Sequence, residues 1–375
     1  MELKPDFAFT PLFPAIERPL RFSSVHTADN PLGLLEGLKG TWTGAGFNVI
    51  WRPFHGGPPD QDRFLELNLT EETLRFEEIP GAIPNRGLLQ PDINMFGLWY
   101  LQTIADANIK DANGKPAGLH LEPGIWATVP QTEHPQEVPT VVRMASIPHG
   151  TTVIAQGVAF QSPEGPRISD TNITPFVIGD PANLIKTFPE PDLSKSSEFR
   201  TPREGLVGID QAIVGNPNLV LKRALEGKTI KNTVVLDVSS DQSTPVFGGG
   251  LANTAFLQGS PSEGPNAQAA LVRATFWIET VPGPVADGPD FHQLQYTQTV
   301  LLNFNTLSWP HITVATLQRS TPYTVKQSDT LSAIALQFYS NGTEPLWRRI
   351  YNANIAVIGP DPAVIASGQQ LNIPT

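Results

Sequence analysis

Seven histidines are the only soft metal donors in this chain, because it contains no cysteine. Thiolate metal sites, structural disulfides and a cysteine nucleophile are therefore excluded. His311 enters the last strand-like segment behind Trp309-Pro310, and His292 precedes the penultimate one. His120 and His149 are the other donors of interest. None sits in an HxH or HExxH spacing, so zinc is not the expected metal. Conventional catalysis has no better footing. There is no GxSxG elbow, no Walker A pattern and no GxGxxG between strand and helix. Gly248-Gly249-Gly250 lies in a turn-rich stretch and reads as a bend. Glu66, Glu78, Glu122 and Glu279 fall in strand-like segments, where one could be buried and proton-active, but no spacing pairs two of them. The chemistry on offer is binding more than turnover.

The elements that must position these residues are mostly strands. Phe64 to Leu69 sets Leu65, Leu67 and Leu69 against Glu66 and Asn68, the period-2 signature of a sheet with one buried face. Further strands are expected at 73–79, 118–129, 141–146, 151–161, 233–239, 270–281, 294–304 and 312–317, after a first glycine-rich strand running from Gly40 to Trp51. About ten antiparallel strands in one domain argue for closure into a barrel, which removes exposed edges. Two segments depart from the pattern. Met95 to Asp106 reads as helical, with Phe96, Trp99, Tyr100 and Ile104 at helical spacing. Residues 171–231 read as an insertion able to cover the barrel mouth, with a helix from Asn218 to Gly227. Ahead of the barrel, residues 1–33 read as an irregular arm rich in proline and aromatic residues.

The segment Leu38-Lys-Gly40-Thr41-Trp42-Thr43-Gly44-Ala-Gly46 resembles the first-strand signature of lipocalins, and more closely the opening of nitrobindin-type haem-binding barrels. That resemblance implies a mainly β fold, a large antiparallel up-and-down, calycin-like barrel over 34–320, with an apolar ligand or haem inside. Trp42, Phe47, Trp51, Trp99, Trp126, Phe276 and Phe304 are the expected cavity lining. His311 stands where such barrels present a haem-ligating histidine, and His292 is its rival. A single neutral nitrogen and apolar walls suffice for haem iron.

The last segment, 321–375, runs from Tyr323-Thr-Val through Asp329-Thr330-Leu331-Ser332 to Gln370-Leu371-Asn-Ile373-Pro374. Its strand–helix–helix–strand order closely resembles a LysM module, expected as a small βααβ domain. Leu331, Ile334, Ala335 and Phe338 mark the buried face of its first helix, and Asp329 or Ser328 is the expected cap. The resemblance implies a shallow groove for N-acetylglucosamine-containing glycan, with Asp329, Thr330 and Leu331 on one side and Asp361, Pro362, Val364 and Ile365 on the other. It also leaves open a docking module that binds protein instead of sugar.

Composition narrows the partners. The chain has 375 residues, 37 proline, 31 glycine and a net charge of −11, which argues against a nucleic-acid partner. No apolar stretch is long enough for a membrane helix, and no secretory signal is visible at the N-terminus, so a cytoplasmic location is expected, with non-classical export left open. The reading is a small-molecule-binding barrel tethered by a LysM module, a binding protein before an enzyme, with catalysis left open. A haem-dependent peroxidase-like or isomerising enzyme is one alternative. A structural protein anchored to peptidoglycan, chitin or a tail-like assembly is another.

Overall fold

The computed structural model describes residues 30–58, 61–242, 246–286 and 288–375. Most of the expected N-terminal arm, residues 1–29, lies outside them. Ten strands close into an antiparallel barrel: β1 (Gly40–Pro53), β2 (Arg63–Glu78), β3 (Ile93–Lys110), β4 (Pro116–Val129), β5 (Thr140–Ile147), β6 (Thr151–Ser162), β7 (Asn232–Ser239), β8 (Gln268–Val281), β9 (Phe291–Phe304) and β10 (Leu307–Thr324). Each pairs with its neighbour in chain order, and β10 closes on β1 from Thr41↔Ser320 to Ile50↔His311.

The stretch expected to be helical, 95–106, is the middle of β3. Its apolar residues lie on both faces of the strand: Leu98, Tyr100 and Ile104 point inward, while Trp99 and Leu101 are 38% and 37% exposed outside. Apolar groups on both faces of a strand imitate helical spacing, and pairing with β2 and β4 overrides that local signal.

Opposed residues share a face, so the registers sort inside from outside. Trp42, Leu74, Phe76, Leu98, Tyr100, Trp126, Phe276, Ile278, Leu294 and Tyr296 fill one end of the interior. A 3-10 turn, Gly33–Leu38, stoppers that end with Leu35 and Leu38, and Trp42 Nε1 donates to Leu38 O at 2.7 Å. The opposite end is bounded by the β1–β2, β3–β4, β5–β6 and β9–β10 loops.

Leu65 and Leu67 are buried, but on the outer wall. The insertion covers them there, through Ile213 and Val214 of α1 (Gln211–Gly215) and Leu221 of α2 (Asn218–Ala224). The insertion thus lies along the outer wall and also reaches the open end, where Phe176 and Val177 pair with Ser308 and Leu307, Phe188 stacks on Trp309, and Asn108 Nδ2 donates to Gly205 O at 2.7 Å. The reason is energetic: β1, β2, β8 and β10 carry apolar side chains on both faces, and each such side chain gains about 1.5–3 kcal/mol when fully buried.

The C-terminal domain grows out of the barrel. β10 runs without a break to Thr324, and β11 (Gln370–Pro374) pairs with its last turn of strand. The boundary expected at 319–322 thus falls inside one strand. Between lie α3 (Leu331–Tyr339) and α4 (Glu344–Ala353), whose Leu331, Ile334, Ala335, Leu346 and Ile350 pack around Phe291 of β9. Thr330 is the observed cap of α3, its Oγ1 accepting from Ala333 N at 3.1 Å. The expected cap Asp329 instead accepts from Tyr323 Oη at 2.8 Å and Lys326 N at 2.7 Å, which folds the preceding turn.

Candidate functional site

The glycines of β1 make the lumen possible. A Cβ at Gly46 would stand 2.7 Å from Glu72 Oε1 and 2.8 Å from Thr70 Oγ1, and closer still to the Val314 carbonyl. Only glycine leaves room there for a carboxyl group between β1 and β2.

That carboxyl group belongs to a polar layer above the packed aromatic end. Glu72, 3% exposed, accepts from Tyr296 Oη at 2.5 Å and from Thr70 Oγ1 at 2.7 Å, while Gln102 Nε2 donates to Tyr296 Oη at 2.8 Å. Beside it, Arg143 donates to Tyr100 Oη at 2.9 Å and to Gln298 Oε1 at 2.6 Å, and forms an ion pair with Glu122. Tyr100 Oη donates to the same carboxylate. An ion pair present at one and absent at the other sets the two carboxyls apart in acidity. Burial raises the pKa of Glu72 to about 7, because it has hydrogen bonds but no ion-pair partner among the described residues. Burial also opposes ionisation of Glu122, but Arg143 overcomes it and holds that carboxyl well below the usual range. Sequence reasoning named Glu122 as a carboxylate that could be buried, but missed Glu72 and the pairings of this layer. Its readable signal was that Glu72 shares strand parity with Leu74 and Phe76.

Towards the open end stand the histidines. His311 faces the lumen between Ile50 and Val300, its paired residues on β1 and β9. It keeps some accessible surface. Burial, and after it the neighbouring His120 and His149, lower its pKa to about 3, so the imidazole is neutral. Its Nε2 is 3.5 Å from Thr313 Oγ1, which leaves the ring without a strong partner among the described residues. His120 Nε2 lies 3.2 Å from Glu122 Oε2, and the His120 and His149 rings are 5.5 Å apart. His292 is placed elsewhere. It lies near the stoppered end, with Nδ1 2.6 Å from Arg319 Nη2.

Of the expected lining, Trp42, Trp126 and Phe276 belong to the interior cluster, within its packed end. Phe47 and Trp51 pack under the insertion, and Phe304 stacks on Trp309 in the same cluster. Trp99 lies on the outer wall near Arg75. By register, His311, Ile50, Val300 and Leu302 on one side and Asn68, Glu72, Asp106 and His120 on the other share the inner face of the barrel. Among the described residues no group of three His, Asp or Glu side chains forms a metal site.

In the C-terminal domain, the segments flanking the two expected groove loops are tied by Val325 N to Gln369 O at 2.9 Å and Gly368 N to Val325 O at 2.8 Å. Thr330 is exposed, whereas Leu331 is committed to the core. Asp361 Oδ1 accepts from Ala363 N at 2.9 Å, Pro362 and Ile365 are half-buried, and Val364 is exposed.

Residues 323–374 match the family described as LysM domain. This segment is a LysM domain, a family that implies carbohydrate binding, and it is joined to the barrel. Among solved structures, the chain is similar to the one titled "Crystal Structure of Rv2717c from M. tuberculosis", with 14% identity and a TM-score of 0.34. That similarity covers 78% of this chain and 98% of the other, and at such a score it carries no argument. No curated protein matches the chain. Among the described residues no helix is long and apolar enough to cross a membrane.

Proposed function

We propose that the protein is a small-molecule-binding barrel held on N-acetylglucosamine-containing glycan by its LysM domain, with haem the first candidate for the lumen. One observation carries the lumen reading: His311 is a neutral imidazole, without a strong partner among the described residues, on the inner face of the barrel. Neutral imidazole is the form that ligates iron. Ile50, Val300 and Leu302 beside it suit the apolar face of a macrocycle. Haem, when bound, would supply a redox-active iron, and His311 would supply the nitrogen that holds it. His292 is a poorer candidate because Arg319 occupies its ring nitrogen.

The test is quenching of tryptophan fluorescence by haemin, with saturation at one equivalent and weakening in His311→Ala. Quenching that never saturates, or that His311→Ala leaves unchanged, sinks the haem reading. Retention on insoluble peptidoglycan or chitin tests the LysM half separately.

A further inference from the structure

Outside the lumen, the barrel wall carries a row of uncharged polar side chains. Gln293 stands opposite Gln318 across β9 and β10, and Gln318 opposite Thr43 on β1. Thr43 is opposite Thr73 on β2, and Thr73 opposite Thr103 on β3. Directly opposed residues share a face, and adjacent strands lie roughly 4.8 Å apart, so the row spans about 19 Å. All five residues line one cavity of about 1380 Å3, which also reaches Glu72, His120 and His149 near the barrel mouth and whose other wall includes Arg349 and Asn352 of α4 and Asn372 of β11. Lys228, at the end of the insertion, lines it too.

Polar atoms on this cleft are short of partners. Ser320, 6% exposed, has a buried Oγ without a hydrogen bond, and Arg349 has a buried Nε in the same condition. Both residues line the cleft. Glu279, which continues the row beyond Gln293, has an unpartnered Oε1. The cations are equally underused. Arg349 lies over the Phe291 ring at 3.7 Å, and Lys228 donates to Gln293 Oε1 at 2.7 Å. Neither forms an ion pair among the described residues, although Glu279 and, after it, Arg349 are near enough to act on the charge of Lys228. Two close cations beside a flat row of amides and hydroxyls match an extended, hydroxyl-rich guest with an anionic substituent. A peptide would need apolar side-chain pockets or an open strand edge, and this floor is the paired middle of a sheet.

We propose that this cleft is a second glycan site, a track for an oligosaccharide strand with a carboxylate-bearing sugar at the Lys228–Arg349 end. It does not use the LysM loops at 329–331 and 361–365. The choice of a saccharide as the guest rests on the LysM reading.

The test is calorimetric titration of the full chain with two probes. One is a neutral N-acetylglucosamine tetramer, and the other is a tetramer alternating N-acetylglucosamine with N-acetylmuramic acid. The acidic tetramer should bind more tightly. Lys228→Gln removes a charge-assisted contact and should weaken it on the order of tenfold or more, while leaving the neutral tetramer unchanged. Thr73→Glu, at an exposed position of the row, should weaken the acidic tetramer comparably. Equal affinity for both probes, with both variants silent, overturns the track and leaves the LysM reading standing. Binding of the acidic probe alone, sensitive to both variants, supports the track and counts against the LysM groove. No binding of either probe overturns both.

Discussion

Glu72 gives the account its most quantitative test. The carboxyl is enclosed in the lumen without a cation, and its pKa rises from the ordinary 4.5 to about 7. The cause is loss of hydration, only partly offset by hydrogen bonds from Tyr296, Thr70 and Gln102. The folded protein therefore holds this proton more tightly than the unfolded chain does. Its stabilising effect is complete below pH 4.5 and is lost as pH rises through about 7. A gap of that size, at 1.36 kcal/mol per unit, makes the loss about 3 kcal/mol. Glu279, raised to about 8 by burial, adds a loss of the same sign over a slightly wider window. Glu72→Gln cannot ionise, and its amide oxygen can still accept from Tyr296. The variant should lose about 3 kcal/mol less than wild type between pH 5 and pH 8, and be the more stable protein at pH 8. Urea unfolding at the two pH values measures this through the midpoint at constant m. If wild type and variant lose the same stability across that interval, Glu72 is ionised in the folded lumen and the reasoning fails.

Three further outcomes follow from named contacts. Arg143→Met leaves Glu122 buried without its cation and should cost about 3–5 kcal/mol at pH 7, a deficit that shrinks as acid protonates Glu122; chemical denaturation across pH 3–7 reads it. Gly46→Ala drives a methyl group into the Val314 carbonyl and Glu72, and should destabilise by about 1–3 kcal/mol in thermal or urea unfolding. Thr330→Ala removes the α3 cap and should cost about 1 kcal/mol, measured in the same way; no change would mean that the turn at Asp329 alone fixes the helix start.

What the sequence disclosed depended on how local the signal was. The LysM segment is legible because Tyr323, Asp329, Leu331, Ile334 and Leu371 act within some fifty consecutive positions. The barrel was legible from alternation, but alternation gives a buried face without saying which cover buries it. Leu65 and Leu67 are the example: they face outward, and only the distant Ile213 and Leu221 make that a buried face. In β3, apolar groups on both sides gave a helical reading that only strand pairing could overturn. The polar layer was least legible, because Tyr296 meets Glu72 and Gln298 meets Arg143 across the barrel, where no sequence spacing records the pairing.

The central claim, a lumen that takes a small molecule through His311, is tested most directly by the absorption spectrum of the full chain after stoichiometric haemin. The account predicts a sharpened Soret band in wild type and in His292→Ala, lost or shifted in His311→Ala. A spectrum identical to free haemin in wild type, or a Soret band that His311→Ala leaves unaltered, would contradict it.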